Sequence, residues 1–338
     1  MPPSRMSSSD PDVRAPRRVT GPRAPRIIRR PIDGVLLLDK PAGISSNGAC
    51  QRVKNRYRAE SAGHTGTLDP FATGLLAIVL GEATKFASSL LDADKTYEAH
   101  AQFGVRTDTG DRDGHRVAER PIVHRVDEVA AAIAKLTGPI QQIPPMYSAL
   151  KRDGRPLYEY ARAGQTVERA ARPVTVHSFQ VLEQTASEFW LRIRCSKGTY
   201  IRTLVDDLGE MLGCGAHLLA LRRTAIGTLG IAQAVTLDAI EPLDEGELDA
   251  LLCPPDLLVK ALPVLQLDES ATKKLLLGQT VSGQPTAPDQ GPMARAYAAD
   301  GRFLGLVREI EAGRFKPKRL IRTAAASRRC LDPERSLF

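Results

Sequence analysis

Unbroken apolar runs in the first quarter of the chain give way to alternating ones further on, and each texture predicts its own kind of element. Gly34-Val-Leu-Leu-Leu-Asp-Lys40, closed by Pro41 and Gly43, reads as a short buried strand. Ser45 or Ser46 then caps a helix whose basic face includes Arg52, Lys54, Arg56 and Arg58. Leu75-Leu-Ala-Ile-Val-Leu80 is a second buried strand, and Glu82–Leu91 reads as a helix. Thr96-Tyr-Glu-Ala-His-Ala-Gln-Phe103 alternates, which puts Tyr97 on one face of a strand and Glu98 on the other. Helices are predicted over Val126–Leu136 and Leu157–Arg162, and strands over Pro173–Val181 and Phe189–Cys195. Gly198 then turns the chain, Thr199 is a candidate N-cap, and Ile201, Leu204, Val205 and Leu208 share one helical face. Leu218-Leu-Ala-Leu-Arg-Arg-Thr224 sets a basic pair on an apolar segment.

The acid-rich stretch 236–256 reads as helix plus linker and marks a domain boundary. Past Leu262 the segments shorten. Val264–Leu267, Thr280-Val281, Ala294–Ala298, Phe303–Arg308 and Arg319–Ile321 are separated by Gly, Pro and Asp. They predict a small β-barrel of roughly 60 residues with one helix at Ser270–Leu277.

Between the first helix and the second strand lies Ser61-Ala-Gly-His-Thr-Gly-Thr-Leu-Asp-Pro-Phe-Ala-Thr-Gly-Leu-Leu76. Gly63, Gly66 and Pro70 punctuate it too densely for helix or regular strand, so Asp69 is expected on a tight loop. Local physics leaves two readings of that acid. Either it caps its own backbone as an Asx-turn before Pro70, or it does chemistry from a loop anchored by a buried strand. Arg202 poses a similar choice. In the first turn of a helix the positive terminus disfavours an arginine unless a carboxylate or phosphate faces it. It either faces solvent or faces such an anion.

Composition narrows the class. The chain has 338 residues, 25% charged and 42% hydrophobic, enough for one large or two smaller domains. No apolar run approaches the ~18 residues of a membrane span. Five cysteines without a Cys-x-x-Cys pair give neither a disulfide framework nor a zinc site, so a reducing cytoplasmic setting is expected. The net charge of +8 is terminal: residues 1–32 carry +6 and residues 314–329 carry +7, which leaves the intervening chain acidic. Such ends either hold a polyanion in a salt-sensitive way or are solvated tails. The segment Asp108-Thr-Gly-Asp-Arg-Asp-Gly114 lacks the ligand register and the twelfth-position glutamate of a calcium loop, and is expected to be a polar hairpin loop.

Several motifs occur here in the order they take in one known family. They are Leu37-Leu-Asp-Lys-Pro-Ala-Gly43, Gly63-His-Thr-Gly-Thr-Leu-Asp-Pro-Phe-Ala-Thr-Gly-Leu75, Lys95-Thr-Tyr97, Gly198-Thr-Tyr-Ile-Arg202, and Gly213-Cys-Gly-Ala-His-Leu218 with Leu221-Arg-Arg223. Over roughly residues 33–322 the chain resembles the TruB family of bacterial pseudouridine synthases, which act on the T-loop uridine at tRNA position 55.

The resemblance implies an α+β pseudouridine synthase fold with a mixed, largely antiparallel central sheet. It also implies a small PUA-like β-barrel at the C-terminal end. The domains expected are a disordered basic leader over 1–32, a catalytic domain over 33–258, the PUA-like RNA-binding domain over 262–323 and a flexible tail over 324–338. Asp69 matches the catalytic aspartate, and Arg202 the arginine that pairs with it. Tyr97 matches the tyrosine that stacks on the target base, while Tyr200 and Leu221 match residues lining the same pocket. His64 matches a histidine that fills the space left by the everted nucleotide. The isomerisation imports no group and changes no oxidation state, so no cofactor and no metal are implied. The implied partner is the T-arm of tRNA, held by shape and phosphates with the target base flipped out. No membrane and no guide RNA are expected, and the protein is expected to act as a monomer. Two rivals stand beside this reading: a non-catalytic RNA-folding protein that keeps the pocket, and a guide-RNA-dependent synthase of the archaeal and eukaryotic type.

Overall fold

The computed structural model describes residues 28–123, 125–287 and 291–322. The leader expected over 1–32 falls outside this up to residue 27, as does the tail over 324–338.

A ten-stranded mixed sheet dominates the chain. Along its main path the order is Val235–Thr236, Gly34–Lys40, Thr73–Leu80, Ala216–Ile226, Lys95–Phe103, Glu188–Cys195, Arg172–Gln184 and Gly138–Gln142. Only the pairing of Gly34–Lys40 with Val235–Thr236 and that of Thr73–Leu80 with Ala216–Ile226 are parallel along this path. The sheet is therefore mixed and largely antiparallel. A second sheet of five strands, Val264–Gln266, Val281–Ser282, Met293–Tyr297, Phe303–Glu311 and Arg314–Leu320, curls into a half-barrel.

The unbroken apolar runs are explained by cover on both faces. From Gly34–Lys40 and Thr73–Leu80, the side chains of Leu36, Leu38, Leu76 and Ile78 pack with Ala49, Cys50 and Val53 of the helix Ser46–Arg56. The alternate set, Val35, Leu37, Leu75 and Val79, packs with Phe86, Leu90 and Leu258 and with Phe303 and Leu306 of the second sheet. The second sheet is thus mounted on the first. Phe86 and Phe303 stack at a tilt, centroids 5.4 Å apart. Lys85 Nζ donates to Leu320 O at 2.9 Å, and Arg322 N–H donates to Glu82 at 2.6 Å. The strand Lys95–Phe103 alternates because only one of its faces is covered. There Tyr97, Ala99, Ala101 and Phe103 meet Ile201, Leu204, Val205 and Leu208 of the helix Ile201–Met211.

Several expectations need correction. Glu82–Leu91 is not one helix but a 3-10 turn over Gly81–Phe86 followed by a short α-helix over Ala87–Leu91. Gly81 has φ +55°, and the Asp33 carboxylate takes the Glu82 N–H at 2.7 Å, so the segment starts on a tight, side-chain-held turn. The last strand spans Arg314–Leu320 rather than beginning at Arg319, because its outward positions are Lys and Arg and only Phe315 is fully buried. The N-cap at Ile201 is Tyr200, not Thr199, whose hydroxyl instead donates to Ser196 O. Two members of the expected basic face are not free. Arg56 donates to the carbonyls of Ile240, Glu241 and Leu243, and Arg58 pairs with Glu245, so both fasten the helix to the 236–256 region. Among the cysteines, Cys50, Cys195 and Cys214 are buried.

Candidate active site

The loop that carries Asp69 is fixed residue by residue. Its first three residues are less irregular than the glycines suggest, since Ala62–His64 is a short strand paired with Thr73–Leu80. Beyond it, the Ser46 hydroxyl both accepts from Leu68 N–H at 2.8 Å and donates to Leu68 O at 3.0 Å. Pro70 presets the backbone for a turn that closes with Ala72 N–H on Asp69 O at 3.1 Å. Gly43 N–H donates to Pro70 O at 2.8 Å. Beneath the turn Lys40 is fully buried, its ammonium donating to the carbonyls of Pro41 and Ile44 at 2.8 Å each. Burial brings Lys40 down to about 8; the Asp69 charge opposes the drop and Arg223 adds to it.

The turn is therefore real, but it is closed by the main chain and leaves the Asp69 carboxylate to other partners. Asp69 Oδ2 lies 2.8 Å from Arg202 Nε; the Asp69 side chain keeps 32% of its exposure and Arg202 only 4%. The guanidinium is held on its other edges by Thr109 O at 2.8 Å and Tyr147 O at 2.7 Å, with Asp111 Oδ2 at 3.6 Å. A buried guanidinium with every edge occupied has one orientation, and that orientation fixes the acid. This resolves the awkward first-turn arginine: two carboxylates, Asp69 and Asp111, face it.

Around the pair sit the other expected residues. Tyr97 and Leu221 are buried in one cluster with Leu68, Phe71, Ile201 and Val205. Burial pushes the Tyr97 phenol up, the Arg223 guanidinium opposes, and the nearby Asp69 charge adds to the rise. Burial likewise raises the Tyr200 phenol, with Asp69 adding to it. His64 stands apart, its Nδ1 buried without a hydrogen-bond partner. Burial and the Arg223 charge both lower its pKa, so the ring is neutral at pH 7. Asp69 thus acts on Arg202, Tyr97 and Tyr200, while Arg223 acts on both Tyr97 and His64.

Three family models cover the chain in sequence. One described as TruB family pseudouridylate synthase (N terminal domain) matches residues 54–201. The tRNA pseudouridylate synthase B C-terminal domain matches 202–260, and Pseudouridine synthase II TruB, C-terminal, matches 263–321. The chain is 53% identical over 308 residues to the tRNA pseudouridine synthase B of Cupriavidus metallidurans, covering 89% of this chain and 98% of that one. It is 52% identical over 305 residues to the protein of the same name from Burkholderia mallei, with the same coverage. This chain belongs to the TruB family of pseudouridine synthases. Among solved structures, a chain of a Cbf5–Nop10–Gar1 complex matches with TM-score 0.61 and 26% identity over 81% of this chain and 78% of its own. An H/ACA RNP bound to a substrate RNA containing 2'-deoxyuridine matches with TM-score 0.64 and 22% identity over 87% and 86%, a likeness of fold.

Four features of the candidate site escaped sequence reasoning. Asp111 and the Thr109 carbonyl come from the loop 108–114, which was expected to be only a polar hairpin connection. It does connect the paired strands Val105–Thr107 and Arg116–Glu119, but it is pinned to the large sheet by Leu218 N–H on Gly110 O at 3.0 Å. The Tyr147 carbonyl carries no side-chain signal at all. Arg223, 1% exposed, donates to Leu75 O at 2.7 Å and to Gly66 O at 3.1 Å. Its placement beside Arg222 on an apolar segment, within the motif Leu221-Arg-Arg223, was the available hint, but no role was attached to it.

Proposed function

We propose that the protein isomerises the T-loop uridine at position 55 of tRNA to pseudouridine, with Asp69 as the catalytic carboxylate. The observation that carries this is the Asp69–Arg202 pair: a carboxylate one-third exposed, held from behind by a guanidinium that is itself locked. In the reaction the bond from N1 to C1′ breaks and a bond from C5 to C1′ forms, the C5 proton leaves and N1 gains one. Asp69 serves this either as nucleophile at the sugar or as base toward its 2′ position. Arg202 offsets its charge throughout. Tyr97 offers a flat face against which a detached uracil can turn, and Tyr200 and Leu221 bound the space. The uridine reaches the acid only when flipped out of the folded loop, and neutral His64 is suited to fill the gap it leaves.

The RNA backbone is held by exposed cations that no carboxylate claims among the described residues. Arg52 on the first helix and Lys316, Lys318 and Arg319 on the last strand are of this kind. The protein acts as a single chain without guide RNA, so protein and hairpin alone suffice for the test. Asp69→Asn is expected to abolish tritium release from C5-labelled uridine in a T-arm hairpin while leaving hairpin affinity within about threefold. Undiminished release by that variant removes Asp69 from the chemistry; release by neither protein makes this an RNA-binding protein without the activity.

A further inference from the structure

The strand Gly138–Gln142 forms the edge of the large sheet, and its first four residues are half-buried or exposed. Gln142 alone is buried, at 2% exposure. A carboxamide in such a place loses its water on folding and must find both a donor and an acceptor. It finds them on one residue. Gln142 Oε1 accepts from Tyr200 N–H at 2.8 Å, and Gln142 Nε2 donates to Tyr200 O at 3.1 Å. The side chain thus behaves as a peptide unit paired with the main chain of Tyr200, with no charge to desolvate.

That residue is the one on which the site turns. Tyr200 is the N-cap of the helix Ile201–Met211, and no side-chain cap bond of its own fixes it there. Its carbonyl also receives Leu204 N–H, so the Gln142 contact and the first helical hydrogen bond converge on one oxygen. Arg202 follows two residues later. Five residues beyond Gln142 the same segment supplies the Tyr147 carbonyl to the Arg202 guanidinium. Pro144 and Pro145 stiffen the link between these two contacts. One short stretch therefore grips Tyr200 by its main chain and Arg202 by its head group.

We infer that Gln142 is a positioning residue for the isomerisation: its buried carboxamide sets the Tyr200 main chain, and with it the angle at which Arg202 presents Asp69. This rests on the pseudouridine synthase reading of the site. Gln142 is buried with both its polar atoms taken by the Tyr200 main chain, so its removal is expected to lower the chemical step and spare binding.

Two variants test this. Gln142→Leu keeps the volume and removes both hydrogen bonds. It is expected to stay folded by circular dichroism and to bind the T-arm hairpin within threefold of wild type. Its single-turnover tritium release is expected to fall 10- to 100-fold. Gln142→Glu carries its own switch. The neutral acid has a carbonyl and an O–H and can restore both bonds, whereas the carboxylate repels the Tyr200 carbonyl. Burial raises that carboxyl and Arg172, its partner in register on the next strand, opposes the rise. Its rate relative to wild type should climb at least fivefold as pH falls from about 8.5 to about 5.5. A Leu variant within twofold of the wild-type rate, or a Glu variant whose profile runs parallel to wild type, overturns the inference. Hydrogen exchange separates it from the functional reading. Even if wild type releases no tritium, the Tyr200 amide should exchange at least tenfold faster in Gln142→Leu, and unchanged exchange sinks the positioning role on its own.

Discussion

In one half of the large sheet, Gly34–Lys40 and Thr73–Leu80 are covered on both faces, and Val35, Leu36, Leu38, Leu76 and Ile78 all lie at or near zero exposure. In the other half, Lys95–Phe103 and Glu188–Cys195 send one face into the core and the other to solvent. The solvent face is a ladder of cross-strand pairs: Trp190 stacked on His100 at 4.3 Å, Arg192 on Glu98 at 2.8 Å and Arg194 on Asp94 at 2.9 Å. The site is assembled across the join. The doubly covered half supplies the acid on a loop held by Lys40, Gly43 and Ser46. The singly covered half supplies Tyr97 and, through the helix packed on it, Arg202. The strand Ala216–Ile226 links the two, with Arg223 opposite Gly74 on one side and Tyr97 on the other. Burial on both faces gives a rigid mount for the acid, while a half with one free face can fasten its active-site helix from a single side.

That contrast can be broken most severely at the pair that spans it. Arg202→Met leaves Asp111 buried without its cation and Asp69 unanchored. It is expected to lower tritium release by at least a thousandfold and to cost about 3 kcal/mol in urea unfolding. Next comes the join itself. Gly74 has φ +104°, and an added Cβ would fall 2.3 Å from Arg223 O, a backbone atom that cannot yield cheaply. Gly74→Ala is expected to cost about 3 kcal/mol or more, read as a fall in the denaturation midpoint. The two halves should then differ at matched positions. Leu36→Ala is expected to cost about 3 kcal/mol, and Glu98→Ala on the solvent face less than about 0.5 kcal/mol. Equal costs would mean that double cover confers no extra rigidity.

A smaller effect is expected from pH. Lys40 in the folded state has come down to about 8 from an ordinary 10.5, so between these values the unfolded chain binds more protons than the folded one. The burden of burying the charge is therefore relieved as pH rises through 8 toward 10. Lys95, also brought down to about 8 by burial, behaves alike. Lys40→Met lacks its share of that relief, so its stability relative to wild type should worsen between pH 7.5 and 9.5 in thermal melts. The smallest effect concerns the charged end. Deleting 1–27 should weaken hairpin binding mainly at low salt; an affinity unaltered there removes this segment from RNA binding.

Much of this arrangement could be read from the sequence, because the informative residues signal through their own side chains. Unbroken Leu and Val runs marked the doubly covered strands, and alternation marked Lys95–Phe103. Glycine and proline around Asp69 marked a loop, and an arginine in a helix's first turn called for an anion. What stayed hidden was contributed by main chain or by distant loops. The carbonyls of Thr109 and Tyr147 that hold Arg202 lie 93 and 55 residues from it and leave no trace in residue type. Arg56 and Arg58 look like RNA contacts in sequence because a basic residue at the end of a helix reads the same whether it meets phosphate or Ile240 and Glu245. Gln142 was missed because a lone glutamine on an edge strand is ordinary until its burial is known.

The mounting of the second sheet has a mechanical consequence. Phe303 against Phe86, and the bonds at Glu82 and Lys85, make the cations of the last strand and the acid at Asp69 two ends of one caliper. On the proposed function, an RNA that touches both ends is measured: a stem too short or too long misses one jaw, whatever its sequence.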